Sequence, residues 1–347
     1  MKRRWQLLLG IGVSLLFLWL AVQGLHIQEV WAYLRGANYW WIVPGVVVYF
    51  LAVWARTWRW YYLLRPVQAL AIRRLFPIVC IGYFGNNVFP ARLGELLRAY
   101  VLRRDAGVPI STSLAPIIIE RVFDGLVMLL FVFLALPFVG PEHIPSVYRG
   151  VVIGASVLFF GALAVFLAAA TNPRRADALY HFFADRFLPA RLRRPVAGFY
   201  QRFMAGLSFL RSGRDVLMVF ATSVVIWLLE TVKYWFVMHA FAFAVPFIGL
   251  MLMNGVVNLT TTLPSAPGYI GTFEVGARVL EALDVPYSLA FGYTIALHVA
   301  LWFPITALGG FYMLRAGIRW RDAASAMPEQ PLPKGDPTGD GDERRQP

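Results

Sequence analysis

Residues 85–102 read GNNVFPARLGELLRAYVL. The ten residues before them, LFPIVCIGYF, are almost wholly apolar, as is most of the chain. Here the run meets two asparagines, a proline, an arginine, a glycine and a glutamate, then resumes with helical spacing. Pro90 removes a backbone donor and its ring clashes with the preceding turn, so the helix breaks there. In water such a break is an ordinary loop. In lipid it is tolerated only where protein buries it or where it borders a wet cavity. The reading of this stretch therefore turns on which solvent surrounds it.

Composition answers that. Of 347 residues, 59% are hydrophobic and 15% charged, against about 45–50% and about 25% in soluble domains. The chain reads as an all-α polytopic membrane protein. Its net charge of +13 comes from 29 Arg and 3 Lys against 19 acids. Such charge gathers on the cytoplasmic side, facing anionic lipid. Nucleic acid is excluded as a partner, because the arginines lie between apolar spans. The single cysteine, Cys80, rules out an intramolecular disulfide and a thiolate metal cluster. No cofactor is expected.

The first apolar run, 5–25, is too long for a signal peptide's core and reads as a retained helix, its start held inside by Lys2, Arg3 and Arg4. Further spans are expected at 39–64, ending among Arg56, Arg59 and Arg65, and at 113–140, 151–171, 216–238 and 286–314. That makes about six crossings. Two more apolar stretches, 75–91 and 247–263, run into polar Pro/Gly segments and read as re-entrant hairpins. Residues 1–317 form one transmembrane domain. Within it, 172–214 carries nine arginines and two acids, with aromatic and aliphatic residues at helical spacing. It reads as an amphipathic cytoplasmic segment on the inner leaflet, or as a loop that only sets topology. Residues 318–347 are Pro/Gly/Asp-rich and read as a disordered cytoplasmic tail.

The opening stretch has a counterpart. PARLGELLRAYVLRRDAGVP at 90–109 parallels PSAPGYIGTFEVGARVLEALDVP at 264–286. Each opens at a proline after an apolar run and passes a glycine turn. Each then starts a helix at a glutamate, Glu95 or Glu274, and ends at Val-Pro. Counting spans from a cytoplasmic N-terminus, the two hairpins enter from opposite faces, an inverted repeat of the kind secondary transporters use. Splitting 286–314 at Pro304 is the alternative, but it leaves Arg315, Arg319 and Arg321 outside.

Polar residues then become candidates for a central cavity. Asn86 and Asn87 serve the carbonyls freed at the first break, and Gly94 allows close approach. A helix starting near Ala91 to Glu95 aims its free N–H groups at the break, and with Arg92 and Arg98 makes an anion site. In the second unit Gly271 caps the helix with Glu274 at its third position, and Asn254 and Asn258 add hydrogen bonds. Glu120, Arg121 and Asp124 sit inside an apolar span. A charge at the bilayer centre costs about 2.5–3.5 kcal/mol, so the three must be paired or wet. They read as site residues or as a structural ion pair. Glu230 and Lys233 read more readily as a structural pair, and His298 as a core histidine rather than a proton relay.

Taken together in this order, NNVFPARLGELLRAYVL, ERVFDGL and LPSAPGYIGTFEVG resemble the lysylphosphatidylglycerol synthase transmembrane family. The likeness runs from about residue 10 to 315. It implies a bacterial or archaeal inner-membrane flippase for an anionic or aminoacylated phospholipid, or for a polyprenyl-phosphate lipid. It also implies that Asn86, Asn87, Pro90, Arg92, Gly94, Glu95, Arg98, Glu120, Arg121, Asp124, Pro264, Pro267, Gly268, Gly271 and Glu274 line the central site. No aminoacyl-transferase domain is expected in this chain. No nucleotide-binding loop is readable, so transport would be passive or ion-coupled. Two rivals stand beside it: a membrane enzyme acting on a lipid phosphate, and a non-catalytic partner of a separate lipid-modifying enzyme.

Overall fold

The computed structural model describes residues 26–89, 93–139, 189–206, 212–260 and 272–318, with isolated positions between 153 and 186. The expected spans at 5–25 and, in the main, 151–171 lie outside the described residues, as does the tail from 319. The rest is helical: α1 (Ile27–Gly36), a 3-10 turn (Tyr39–Trp41), α2 (Ile42–Leu64), α3 (Ile72–Val88), α4 (Gly94–Ala106), α5 (Ile110–Val139), α6 (Ala190–Gly206), α7 (Gly213–Met238), α8 (Phe247–Thr260), α9 (Thr272–Glu281) and α10 (Tyr287–Arg315). Three stretches, Tyr39–Leu64, Gly213–Met238 and Tyr287–Arg315, are long and apolar enough to cross a membrane. The 30-residue α5 is interrupted by charge, as its sequence foretold. Helix α1 was not foreseen.

The surface is inside out relative to a soluble protein. Trp40 of the 3-10 turn and Val43, Val47, Leu51, Trp54 and Trp58 of α2 form an exposed apolar stripe at three- and four-residue spacing. The opposite face buries Thr57 and Arg59 beside Trp60 and Leu63. Helix α7 exposes Leu217, Val225 and Leu228 while burying Asp215, Glu230 and Lys233. Apolar outside with charge inside is the arrangement lipid imposes, since a spanning charge must face the bundle interior.

Local signals set the ends. Ser212 accepts from the Asp215 N–H and caps α7. Gly107 closes α4 at φ 70°, the left-handed geometry glycine adopts without strain. Ser223 and Thr231 return their hydroxyls to carbonyls four residues back, which lets polar side chains sit in an apolar helix without unmet hydrogen bonds.

Packing is reciprocal. Helices α2 and α7 pair along their lengths and run antiparallel: Asn38 N–H donates to Ala240 O (2.8 Å) at one end, and Arg65 meets Asp215 (2.5 Å) at the other. Helix α3 packs on α10, and α8 on α5. Helix α1 rests on α10 while α6 rests on α5, where Arg202 donates to Ser111 (2.7 Å). The first helix of each hairpin, α3 or α8, thus lies against the long helix that follows the other hairpin, while α4 and α9 pack on the long helix that follows their own.

The α3–α10 crossing depends on Gly309, where an added Cβ would run into the backbone carbonyl of Cys80. Helical backbone there has little room to retreat. Gly309→Val is expected to cost about 1–3 kcal/mol through overpacking, read as a lower melting temperature in detergent; an unchanged melting curve would show that the crossing relaxes freely.

Candidate functional site

The interior charges are organised around one arginine. Arg59 has no exposed surface. Its guanidinium donates to Asp124 (2.6 Å), to Ser223 (2.8 Å) and, at 3.4 Å, to Glu120. Asp124 also accepts from the Trp227 indole N–H (2.9 Å) and lies 3.3 Å from Arg121. Glu120 takes a second cation, Arg98 from α4, whose guanidinium lies over the Trp60 ring. Four helices, α2, α4, α5 and α7, are thereby tied at one level. A second cluster stands beside it: Glu230 is held by Arg56 (2.5 Å) and by Lys233. Arg56 lies over Tyr83 and Trp227, and Lys233 over Tyr49 and Tyr234.

These clusters border a cavity of about 210 Å³. Helix α2 supplies Tyr49 and Arg56. Helices α3 and α4 supply Gly82, Tyr83, Asn86, Asn87, Gly94, Glu95 and Arg98. Arg121 and Asp124 come from α5, and Trp227, Glu230, Lys233 and Tyr234 from α7. Val257 and Asn258 of α8 and His298, Leu301 and Trp302 of α10 complete the wall. Both hairpins therefore reach the same space.

Most of the sequence candidates converge here, in three ways. Asn86, Asn87, Gly94, Glu95, Arg98, Arg121 and Asp124 line the cavity, as do Glu230, Lys233, Asn258 and His298. Glu120 stands one layer back, joining Arg98 to Arg59. Asn254 is buried against α7, donating to Trp227 O and Thr231 Oγ1, and reaches the space only through Asn258. Glu274 stands apart: it faces Arg278 at 3.9 Å on its own helix and is no part of the wall. Pro90, Arg92, Pro264, Pro267, Gly268 and Gly271 lie outside the described residues.

Some roles differ from expectation. Asn87 does not serve its own helix's freed carbonyls; its amide donates to Thr306 Oγ1 of α10 (2.7 Å), and Trp302 of α10 donates to Asn87 O (3.4 Å). The break is satisfied from the other unit. Gly94 admits backbone: a Cβ there would collide with the Gly82 carbonyl and Asn86. Arg56 and Arg59, read from the sequence only as residues among which the span 39–64 ends, are inward-facing members of the network. Their spacing of three puts them on one face, the signal that would have found them. Tyr49, Tyr83, Trp227 and Tyr234 had no such signal among so many aromatics. Among the described residues, no three His, Cys, Asp or Glu side chains are grouped to hold a metal ion.

An all-helical, multi-pass membrane protein with a charged cavity between two helical hairpins is the class these features define. The chain belongs to the family described as the lysylphosphatidylglycerol synthase TM region, which matches residues 7–309. Glycosyltransferase AglD of Haloferax volcanii is 28% identical over 86% of this chain. The chain spans 53% of that protein's length. A UPF0104 membrane protein of Methanothermobacter thermautotrophicus is 24% identical over 79% of this chain and 83% of its own. UPF0104 membrane protein MJ1078 of Methanocaldococcus jannaschii is 24% identical over 68% and 96%. No solved structure matches the chain.

Removing Arg59 takes the nearest cation from Asp124, leaving it Arg121 at 3.3 Å, while Glu120 keeps Arg98. Arg59→Met is expected to cost about 3 kcal/mol, the lower end of the penalty for breaking a buried ion pair. The double variant Arg59→Met/Asp124→Leu should regain a large part of it, because no carboxylate then remains at Asp124. Melting curves of the three proteins in detergent decide this, and a double variant no better than Arg59→Met would mean that Arg59 acts by packing alone.

Proposed function

We propose that this protein is a lipid translocase: it moves a phosphate-bearing lipid between leaflets by receiving the headgroup in the cavity between the hairpins. One observation carries this reading. A polar, charge-lined space lies inside a bundle whose outer faces are apolar. Long charged side chains and broken helices in lipid mark pathways for polar cargo. Arg98 and Arg121 offer guanidinium donors of the kind that grip a phosphate. The family membership agrees with a role on lipids.

The two units would be an inverted repeat. In support, their leading helices α2 and α7 are antiparallel. Arg104 in the last turn of α4 also reaches Ala316 O at the far end of α10 (3.0 Å), so α5 begins near where α10 ends. The N-terminus, residues 172–214 and the C-terminus would all face the cytoplasm, as the arginines favour. Cysteines placed at 180 and 340 in a Cys80→Ser background should resist impermeant maleimide in intact cells. Labelling from outside at either position would overturn the topology.

A second reading draws on AglD, whose name is that of a glycosyltransferase: this chain would then serve lipid-linked glycosylation, with a polyprenyl-phosphate lipid as cargo or substrate. Reconstituted liposomes separate the roles. A translocase exposes labelled lipid to an outside quencher unaided, an enzyme changes the lipid's mass, and a scaffold does neither. Arg98→Met is expected to slow transfer about ten-fold or more, as loss of a charged hydrogen bond implies. A wild-type rate no faster than that of empty liposomes would sink the translocase reading.

A further inference from the structure

Charge counting around the cavity goes further and names the kind of headgroup, resting on the reading of the space as a headgroup site. Four cations line it, Arg56, Arg98, Arg121 and Lys233, against three carboxylates, Glu95, Asp124 and Glu230. Behind them Arg59 and Glu120 cancel. With histidine neutral, the described residues leave one positive charge in excess.

Every carboxylate is already engaged. Glu230 has Arg56 and Lys233, Asp124 has Arg59 and Arg121, and Glu95 has Arg121 at 3.6 Å. The aromatic faces that would otherwise cage an ammonium carry protein cations instead, Arg56 over Tyr83 and Trp227, Lys233 over Tyr49 and Tyr234. Two buried acceptors on the hairpin, Asn86 Oδ1 and Glu95 Oε1, have no hydrogen-bond donor, Glu95 Oε1 facing the Arg121 guanidinium only at ion-pair distance. A buried acceptor left unmet is costly, so a ligand that brings donors gains by filling them.

We propose that the cavity selects a phosphate ester that carries net negative charge and neutral hydroxyl groups, and rejects an aminoacylated headgroup. The phosphate answers the excess cation, and hydroxyls answer Asn86 and Glu95. An ammonium would also satisfy those acceptors. It would, however, raise the excess from one positive charge to two in a space where charge is poorly screened.

The test is binding to purified protein in detergent, which needs no transport. The probes are phosphatidylglycerol, phosphatidylmethanol, lysyl-phosphatidylglycerol, phosphatidylcholine and inorganic phosphate. Phosphatidylglycerol should bind tightest, phosphatidylmethanol, which lacks the hydroxyls, less tightly, and the lysyl lipid about ten-fold weaker or more. Two variants shift the charge in opposite directions. Lys233→Met leaves Glu230 to Arg56 and should weaken phosphatidylglycerol binding. Glu95→Gln keeps an acceptor oxygen and should strengthen it. Lysyl lipid binding as well as phosphatidylglycerol, or both variants weakening it alike, would overturn the proposal. So would saturation by inorganic phosphate without preference among lipids. Selective binding with no movement between leaflets in liposomes would retain this selectivity and reject translocation.

Discussion

A fully buried arginine needs its charge answered, and in this protein Arg59 makes that demand at the level where four helices meet. It is answered by Asp124 and Glu120 from α5 and by a hydroxyl from α7. In a medium with few polar groups the pairing fixes register, because sliding any helix by a turn would strand a charge. The desolvation penalty of such a cluster is large and its pairing returns much of it only with good geometry. The network is therefore better understood as a constraint on alternatives than as a store of stability. Arg98, which joins Glu120 from α4, extends the same constraint to the first hairpin.

The reciprocal packing follows from a second shortage. A broken helix frees carbonyls and N–H groups that lipid cannot satisfy, so their partners must come from within the protein. The α3 break takes donors from Trp302 and an acceptor from Thr306, both on α10. Gly82, Gly85 and Gly94 let α3 and α4 approach until backbone meets backbone. Side chains that would have filled that contact are instead carried on neighbouring turns, toward the cavity. Beside that close glycine packing, Asn86, Glu95 and Arg98 line a space whose other walls include α7, α8 and α10.

The family resemblance and the cavity speak to different matters. Membership places the chain among membrane proteins of the lysylphosphatidylglycerol synthase transmembrane type, and the chain is also similar to a protein named as a glycosyltransferase. In the proposed translocase, the balance of charge and donors at the wall would distinguish one cargo from another. That balance rests on Arg56 and Lys233, outside the three motifs that carry the resemblance.

The sequence by itself determined the solvent and much of the helix plan. Composition made the chain a membrane protein, Pro90 and the Val-Pro endings marked the hairpins, and charges inside apolar runs named Glu120, Arg121, Asp124, Glu230 and Lys233 as interior. These are legible because each is a local violation of what lipid allows. Partnership is not local. Arg56 and Arg59 were legible only as arginines near the end of a span, and such an arginine reads alike whether it points to water or inward. Glu274 matched Glu95 by position in the repeat, yet it pairs along its own helix, away from the cavity. Only tertiary structure decided these cases, because which acid meets which base depends on how antiparallel helices stagger, and hydrophobic spacing carries no record of that stagger.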